Sequence, residues 1–346
     1  MAGEPVCEGG RGRSVGGALS ISRRGFVAAL GAAMGAAVVS TVARGQGRTY
    51  PSKPIRVIVP FASGGGSDTF MRLIAARLSE SRRYVTVIEN RPGAGGNLGA
   101  EIALREPADG YTLLVISGSY AGNAVVSKPG FDPINAIQPV IQFTREPMMV
   151  VGSANAAADT LARVIDKARA APGTVTYGSS GVGGLIHLST EYFASVAGIR
   201  MSHVPYKGTG AALNDLLGGQ IELLFGGTST LLQLAKAGKL RPLAVESPHR
   251  LAALPGMPTF AEAGVPGFDV DLWHGLVVAR STPHDIVATL NRDINAVLRS
   301  PAMGSRFAAD DVEPAGGTPE AFGASIRKDM ERWQMLVKAG KVKIDG

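Results

Sequence analysis

Four segments place glycine and hydroxyl residues where an apolar run gives way to a helical pattern. They are Ser63-Gly64-Gly65-Gly66-Ser67-Asp68, Ser117-Gly118-Ser119, Gly178-Ser179-Ser180-Gly181-Val182-Gly183-Gly184 and Phe225-Gly226-Gly227-Thr228-Ser229. The chemistry open to such junctions is anion capture. Glycine lets a ligand approach the main chain, and the first N–H groups of a helix have no partner within it. They carry partial positive charge and bind carboxylate or phosphate without a cationic side chain. Each loop alone is equally well explained as a tight turn. Several in one chain, split between its two halves, favour a shared site.

Other chemistry fits less well. Gly64 and Gly66 begin a dinucleotide pattern, but Thr69 stands at the third glycine position. Gly93-Ala94-Gly95-Gly96-Asn97-Leu98-Gly99 fails at Leu98 and follows Arg91-Pro92, so it reads as a turn before a helix. No P-loop pattern occurs. Gly178-Ser179-Ser180-Gly181 lacks the nucleophile-elbow frame, because Val182 stands where its second glycine belongs. The histidines His187, His203, His249, His274 and His284 include no i, i+4 pair with a glutamate between. His187 falls in the first turns of a helix after a glycine loop, within reach of a ligand, although a structural histidine is the simpler reading. Asp68 and Glu222 are the acids nearest strand ends, and no convergent carboxylate pair is visible. The one cysteine, Cys7, precedes the apolar stretch of a leader, so the rest of the chain has no thiolate ligand and no disulfide. No cofactor and no metal are expected.

The chain has 346 residues and a net charge of +7. Ser22-Arg23-Arg24-Gly25-Phe26-Val27 is a twin-arginine pattern, followed by an uncharged Ala/Gly/Val stretch to Thr41-Val42-Ala43. Residues 1–43 therefore read as an export leader of the twin-arginine (Tat) type, with an ordinary buried helix as the alternative. Its removal leaves 303 residues (346 less 43) with charge +5, the leader contributing +2. The remaining basic residues are scattered and not interleaved with aromatics, which argues against a nucleic-acid partner. No later apolar run approaches membrane length. A soluble, periplasmic chain is expected.

The elements that must position the loops alternate in type. Strands are expected at Ile55–Phe61, Tyr84–Ile88, Tyr111–Ser117, Ile137–Phe143, Met148–Gly152, Val175–Tyr177, Met201–Val204, Ile221–Phe225, Leu240–Val245 and Val270–Ala279. Helices are expected from Ser67, over Asn97–Arg105, Thr160–Ala170, Gly184–Val196, Gly210–Leu217 and Thr228–Ala237, near His284–Leu298, and over Pro319–Lys338. The fold class is α/β, with mostly parallel sheets covered by helices on both faces. Polar breaks at Arg145-Glu146-Pro147 and over 255–267 favour two domains with a cleft between them, assigned as 50–147 plus 278–346 and 148–277. Strands near 148–152 and 270–279 are expected to cross between them.

The order of short motifs along the chain resembles a known family. Tyr50-Pro51-Ser52-Lys53-Pro54-Ile55-Arg56, Val59-Pro60-Phe61 with its glycine triplet, Glu89-Asn90-Arg91-Pro92-Gly93-Ala94-Gly95-Gly96-Asn97, Asp109-Gly110-Tyr111, His203-Val204-Pro205-Tyr206-Lys207-Gly208, Asp215-Leu216-Leu217-Gly218-Gly219-Gln220, Ala237-Gly238-Lys239-Leu240-Arg241 and Glu262-Ala263-Gly264 are similar to the tripartite tricarboxylate transporter receptors, the Bug solute-binding proteins. The resemblance runs from about Tyr50 to the C-terminal helix. It implies a hinged, two-domain periplasmic binding protein of type II, without catalysis, that delivers a small carboxylate to membrane permease subunits as a monomer.

The resemblance also implies how the ligand is held: by backbone amides and hydroxyls at helix starts, with ordered water on the first-domain side. Carried onto this chain, it points to Phe61, Ser63, Gly64, Gly65, Ser67 and Asp68 in the first loop and to Ser117 and Ser119 beside it. From the second domain it points to Ser179, Ser180, Gly183, Gly184, His187, Gly226 and Gly227. Two departures stand out. Many members have an aspartate where this chain has Gly226, and hydroxyl residues where it has Gly184, Leu185 and Ile186. Both changes remove polar groups and suggest a ligand without an ammonium group and with a less polar or bulkier body. An exported hydrolase or oxidoreductase using a Ser/Gly loop, and a receptor that signals to a membrane sensor, are the alternatives.

Overall fold

A run of apolar side chains halted by glycine builds the first unit of the fold. In the computed structural model, residues 50–127, 129–156 and 158–342 are described, and the expected leader lies outside them. The strand β1 (Ile55–Val59) is buried at Ile55, Val57, Ile58 and Val59, and leads through the glycine triplet into α1 (Gly66–Arg82). Then follow β2 (Thr86–Asn90), α2 (Asn97–Arg105), β3 (Thr112–Ser117) and α3 (Gly118–Val126). The strands β4 (Ile137–Glu146) and β5 (Met148–Ser153) are separated by Pro147 alone. Next come α4 (Leu161–Ala170), β6 (Thr176–Ser179), α5 (Leu185–Ala197), β7 (Ser202–Pro205), α6 (Thr209–Leu217), β8 (Leu223–Gly227), α7 (Thr228–Lys236) and β9 (Leu240–Val245). The chain closes with β10 (Leu272–Ala279), α8 (His284–Leu298), α9 (Pro301–Ala308), β11 (Glu313–Gly316) and α10 (Pro319–Lys338).

Two sheets result. The first has six strands in the order β11-β4-β10-β3-β1-β2, and the second has five in the order β7-β6-β8-β5-β9. In the first, β1 pairs in parallel with β2 (Val57 opposite Ile88) and with β3 (Val57 opposite Leu113). In the second, β6 pairs in parallel with β7 and β8. The sheets are mixed where mostly parallel ones are expected: β10 runs antiparallel to β3 and β4, β11 to β4, and β5 to β8 and β9. For β5 and β10 the reason is topological. Both β5 and β10 follow a passage from the other sheet. A chain arriving from there enters at the edge where the parallel strands end, so it must run against them. The expected crossing strand 270–279 is in fact a member of the first sheet along Leu272–Ala279, all of it paired with β4.

Helices cover both faces of each sheet, as continuous apolar strands require. On one face of the first sheet, Phe70, Ile74 and Leu78 of α1 pack with Leu290 and Ile294 of α8. On the other, Ala100 and Ala103 of α2 pack with Phe322 and Ile326 of α10. The last helix is fixed at its start by Thr318, whose hydroxyl accepts from Ala321 N at 3.2 Å, with Pro319 at the first helical position. Its later Trp333 joins the core of the second sheet with Phe193, Phe225 and Phe260, so α10 packs on both sheets. Helix α3 lacks a clear apolar period. It forms where Gly118 and Gly122 let it press against Leu185 and Leu188 of α5, since a Cβ at either glycine would lie 2.6 or 2.5 Å from those leucines.

Candidate functional site

The carboxyl ends of the parallel strands in the two sheets face one another across a cavity of about 50 Å³. That holds a few water molecules or a small ligand group. From the first sheet it is lined by Phe61, Gly65, Gly66 and Ser67 after β1, Ser117 and Ser119 after β3, Glu146 at the end of β4, and Leu272 and His274 of β10. From the second come Ser180, Leu185, Ile186, Thr209, Gly227 and Thr230. The starts of α1, α3, α5, α6 and α7 thus meet at one place. Their dipoles make it favourable to negative charge, and hydroxyls supply further donors. No lysine or arginine is among the lining residues.

Several contacts join the two sides. Ser119 Oγ accepts from Leu185 N, the first N–H of α5, at 2.9 Å. Ala62 N donates to Lys207 O at 3.0 Å. Gln233 Nε2 donates to Ala309 O at 3.1 Å and to Asp310 Oδ1 at 3.0 Å.

Of the residues expected at the site, Phe61, Gly65, Ser67, Ser117, Ser119, Ser180 and Gly227 line this cavity. The others do not. Ser63 and Gly64 are exposed. Asp68 is buried and accepts from Gly64 N at 3.1 Å, Asn90 Nδ2 at 3.0 Å and Arg72 Nε at 3.0 Å. Burial alone would raise its pKa, but Arg72, Asn90 and the Gly64 N–H together hold it below the ordinary aspartate value. Asp68 therefore shapes the loop from behind. Ser179 is fully buried, and its Oγ lies 2.6 Å from His203 Nε2. Gly183 N donates to His187 Nδ1 at 3.1 Å, so His187 receives the loop's main chain. His187 also stacks on His203 with ring centroids 4.0 Å apart. Burial pushes both imidazoles down to about 4. Gly184 approaches Ser180 and Ser119 without lining the cavity, and a Cβ at Gly226 would meet Leu231 at 2.9 Å.

Sequence reasoning missed Glu146, Thr209, Thr230, Leu272 and His274. Glu146 is 1% exposed. Its Oε2 accepts from Ser229 N at 2.9 Å and from Thr228 Oγ1 at 3.4 Å, so the start of α7 is occupied by a side chain from the first sheet. Burial pushes the Glu146 carboxyl up to about 7, against the lowering effect of those donors. His274 Nδ1 lies 3.0 Å from Thr144 Oγ1 and 3.8 Å from Glu146 Oε1. Burial pushes this imidazole down to about 3, so the contact with Glu146 is not an ion pair. An acid wedged between the apolar runs 137–143 and 148–152, directly before a proline, was the available signal for Glu146.

Among the described residues, no helix is long and apolar enough to cross a membrane. None of them form a group of three or more His, Cys, Asp or Glu side chains able to hold a metal ion.

Comparison with known proteins gives a consistent picture. A family model described as Tripartite tricarboxylate transporter family receptor matches residues 70–342. Protein BugT of Bordetella pertussis is 34% identical over 299 residues, covering 86% of this chain and 92% of that protein. The structure of R. palustris Rpa4515 with adipate aligns at 36% identity and a TM-score of 0.81, over 85% of this chain and 99% of the other. MatC from Rhodopseudomonas palustris with bound malate aligns at 27% identity and a TM-score of 0.79, over 83% of this chain and 100% of the other.

Proposed function

The chain belongs to the tripartite tricarboxylate transporter receptor family, and we propose that it captures a small carboxylate in the periplasm and hands it to membrane permease subunits. The observation that carries the reading is the convergence of five helix starts, those of α5 and α7 already met by Ser119 and Glu146, and of several hydroxyls on one cavity that has no cationic side chain among its lining residues. Backbone N–H groups can hold an anion there without a metal. The adipate and malate bound by Rpa4515 and MatC support a carboxylate as the ligand class.

The apolar part of the lining, Phe61, Leu185, Ile186 and Leu272, fits a ligand with an aliphatic or aromatic body. A hydrogen bond to a charged group contributes about 1.5–3 kcal/mol. Four of them with one or two helix ends reach about 8 kcal/mol, near a micromolar Kd. Ser179 and His203 form a serine–histidine pair, but Ser179 is fully buried and does not line the cavity, which favours binding over acyl transfer.

The test is a calorimetric screen with acetate, malate, adipate, citrate and benzoate, each followed for turnover. Micromolar binding of at least one, with the compound recovered unchanged, is the expected result. Binding of none, or chemical conversion of the one that binds, would overturn the reading. Trp273, whose indole N–H donates to Asp329, adjoins the lining residues Leu272 and His274 and should report binding by fluorescence.

A further inference from the structure

We propose that Glu146 is a ligand-contacting residue that, as the neutral acid, donates a hydrogen bond to a carboxylate oxygen of the bound solute. The inference rests on the carboxylate reading above and deepens it. Three observations carry it. Glu146 lines the cavity and is 1% exposed. Its two oxygens are unequal: Oε2 accepts from Ser229 N and Thr228 Oγ1, whereas Oε1 is buried without a hydrogen-bond partner. Oε1 also lies 3.4 Å from where a Cβ on Gly66 would stand, at the start of α1. With Oε2 engaged by donors, the acid proton belongs on Oε1.

The groups facing Glu146 leave it little alternative. From β10 comes the neutral His274; from α7 come Thr228 and Ser229; from the turn after α9 comes Asp310, whose charge disfavours a second anion. Asp310 is itself paired with Arg306. An ionised Glu146 and a ligand carboxylate in one cavity would repel each other. Protonation replaces that repulsion with a charge-assisted hydrogen bond. Burial already holds this carboxyl well above the ordinary glutamate range. The balance is simple: Glu146 carboxylate, one proton from solvent and the ligand carboxylate give a hydrogen-bonded acid–anion pair. Above neutral pH, binding takes up one proton. A ligand ammonium placed here would do the opposite, ionising Glu146 and releasing a proton.

The experiment titrates acetate, malate, adipate, citrate and benzoate into wild-type protein and into Glu146→Gln, from about pH 6 to about pH 9. Each titration is done in two buffers of different ionisation enthalpy. In the wild type, proton uptake should approach one per carboxylate at the alkaline end. Affinity should fall by up to about tenfold per pH unit above neutrality. The glutamine amide can place an N–H where the acid proton would be but has no proton to exchange, so the variant should take up no proton on binding and its affinity should be flat with pH. Carboxylate binding without proton uptake, or with proton release, overturns this inference and leaves the carboxylate reading intact. Failure of every probe with wild type overturns the reading itself, and the inference with it. Where the variant does not fold, absence of proton uptake by the wild type still overturns the inference.

Discussion

Ser119 Oγ accepts a hydrogen bond from Leu185 N across the cavity at 2.9 Å, so a hydroxyl from the first sheet caps a helix belonging to the second. The Gly184 cap of that helix offers no side-chain acceptor of its own. A cap of this kind contributes about 1 kcal/mol. Ser119→Ala should therefore destabilise the ligand-free protein by about 1 kcal/mol and, because Ser119 also lines the cavity, weaken ligand binding. Thermal unfolding and calorimetry check it; an unchanged unfolding midpoint would show that the bond contributes nothing to stability.

Gly227 presses on Glu146. An added Cβ would lie 2.3 Å from Glu146 Cδ, while the backbone at φ −74° suits any residue. The effect of Gly227→Ala is therefore steric. It should destabilise the protein by about 1–3 kcal/mol and disrupt ligand binding. Adding Glu146→Ala removes the obstructing carboxyl, so the two changes should be clearly non-additive in chemical unfolding. Additivity would show that the overlap is relieved elsewhere.

The pH dependence of stability separates two opposed groups. The folded-state pKa of Glu146 is raised to about 7. Its contribution is fully present below the unfolded value of about 4.3 and is lost as pH rises through about 7. Glu146→Gln should thus gain Tm relative to wild type at about pH 8, and the gain should shrink toward about pH 5. The histidines act in the other direction. His187 and His203 are lowered to about 4 and His274 to about 3, so their contribution is lost as pH falls from about 6.5 toward those values. Wild-type Tm should fall on acidification through that window; a rise would mean that the imidazoles are already protonated in the fold.

Asp68 braces the glycine loop through three neighbours rather than touching the cavity. Asp68→Ala removes hydrogen bonds to a charged acceptor, at a cost of about 2 kcal/mol. Its depressed pKa means that its own contribution disappears as pH falls through the folded value. The variant should consequently unfold in less urea at about pH 7 and differ less from wild type in strong acid. Equal urea midpoints at neutral pH would show that Arg72 and Asn90 hold the loop unaided.

Much of this architecture is legible in the chain because local signals agree with packing. Asn97–Arg105, Leu240–Val245, His284–Leu298 and Pro319–Lys338 begin and end as their caps, prolines and apolar spacing indicate. Where a segment takes its shape from a neighbour, the signal fades. Gly118–Val126 is helical because α5 lies against its glycines, and Glu313–Gly316 is a mostly exposed edge strand with no apolar alternation. The same contrast holds at the cavity. Ser67, Ser117, Ser119, Ser180 and Gly227 sit at junctions that sequence marks. Glu146 ends β4 beside the passage into the second sheet, and Leu272 and His274 arrive on β10, which runs against its neighbours, so their meeting depends on topology.

Pro147 stands alone between Glu146 and Met148, the last residue of one strand and the first of the next. A proline has no amide hydrogen to give to either ladder. No rung of either ladder therefore runs through its nitrogen. Its carbonyl still accepts from Thr228 N at 3.3 Å, the residue beside the one that grips Glu146. A gap in both ladders and a titratable carboxyl are thus adjacent along the backbone, and any shift there bears first on the grip that α7 has on Glu146.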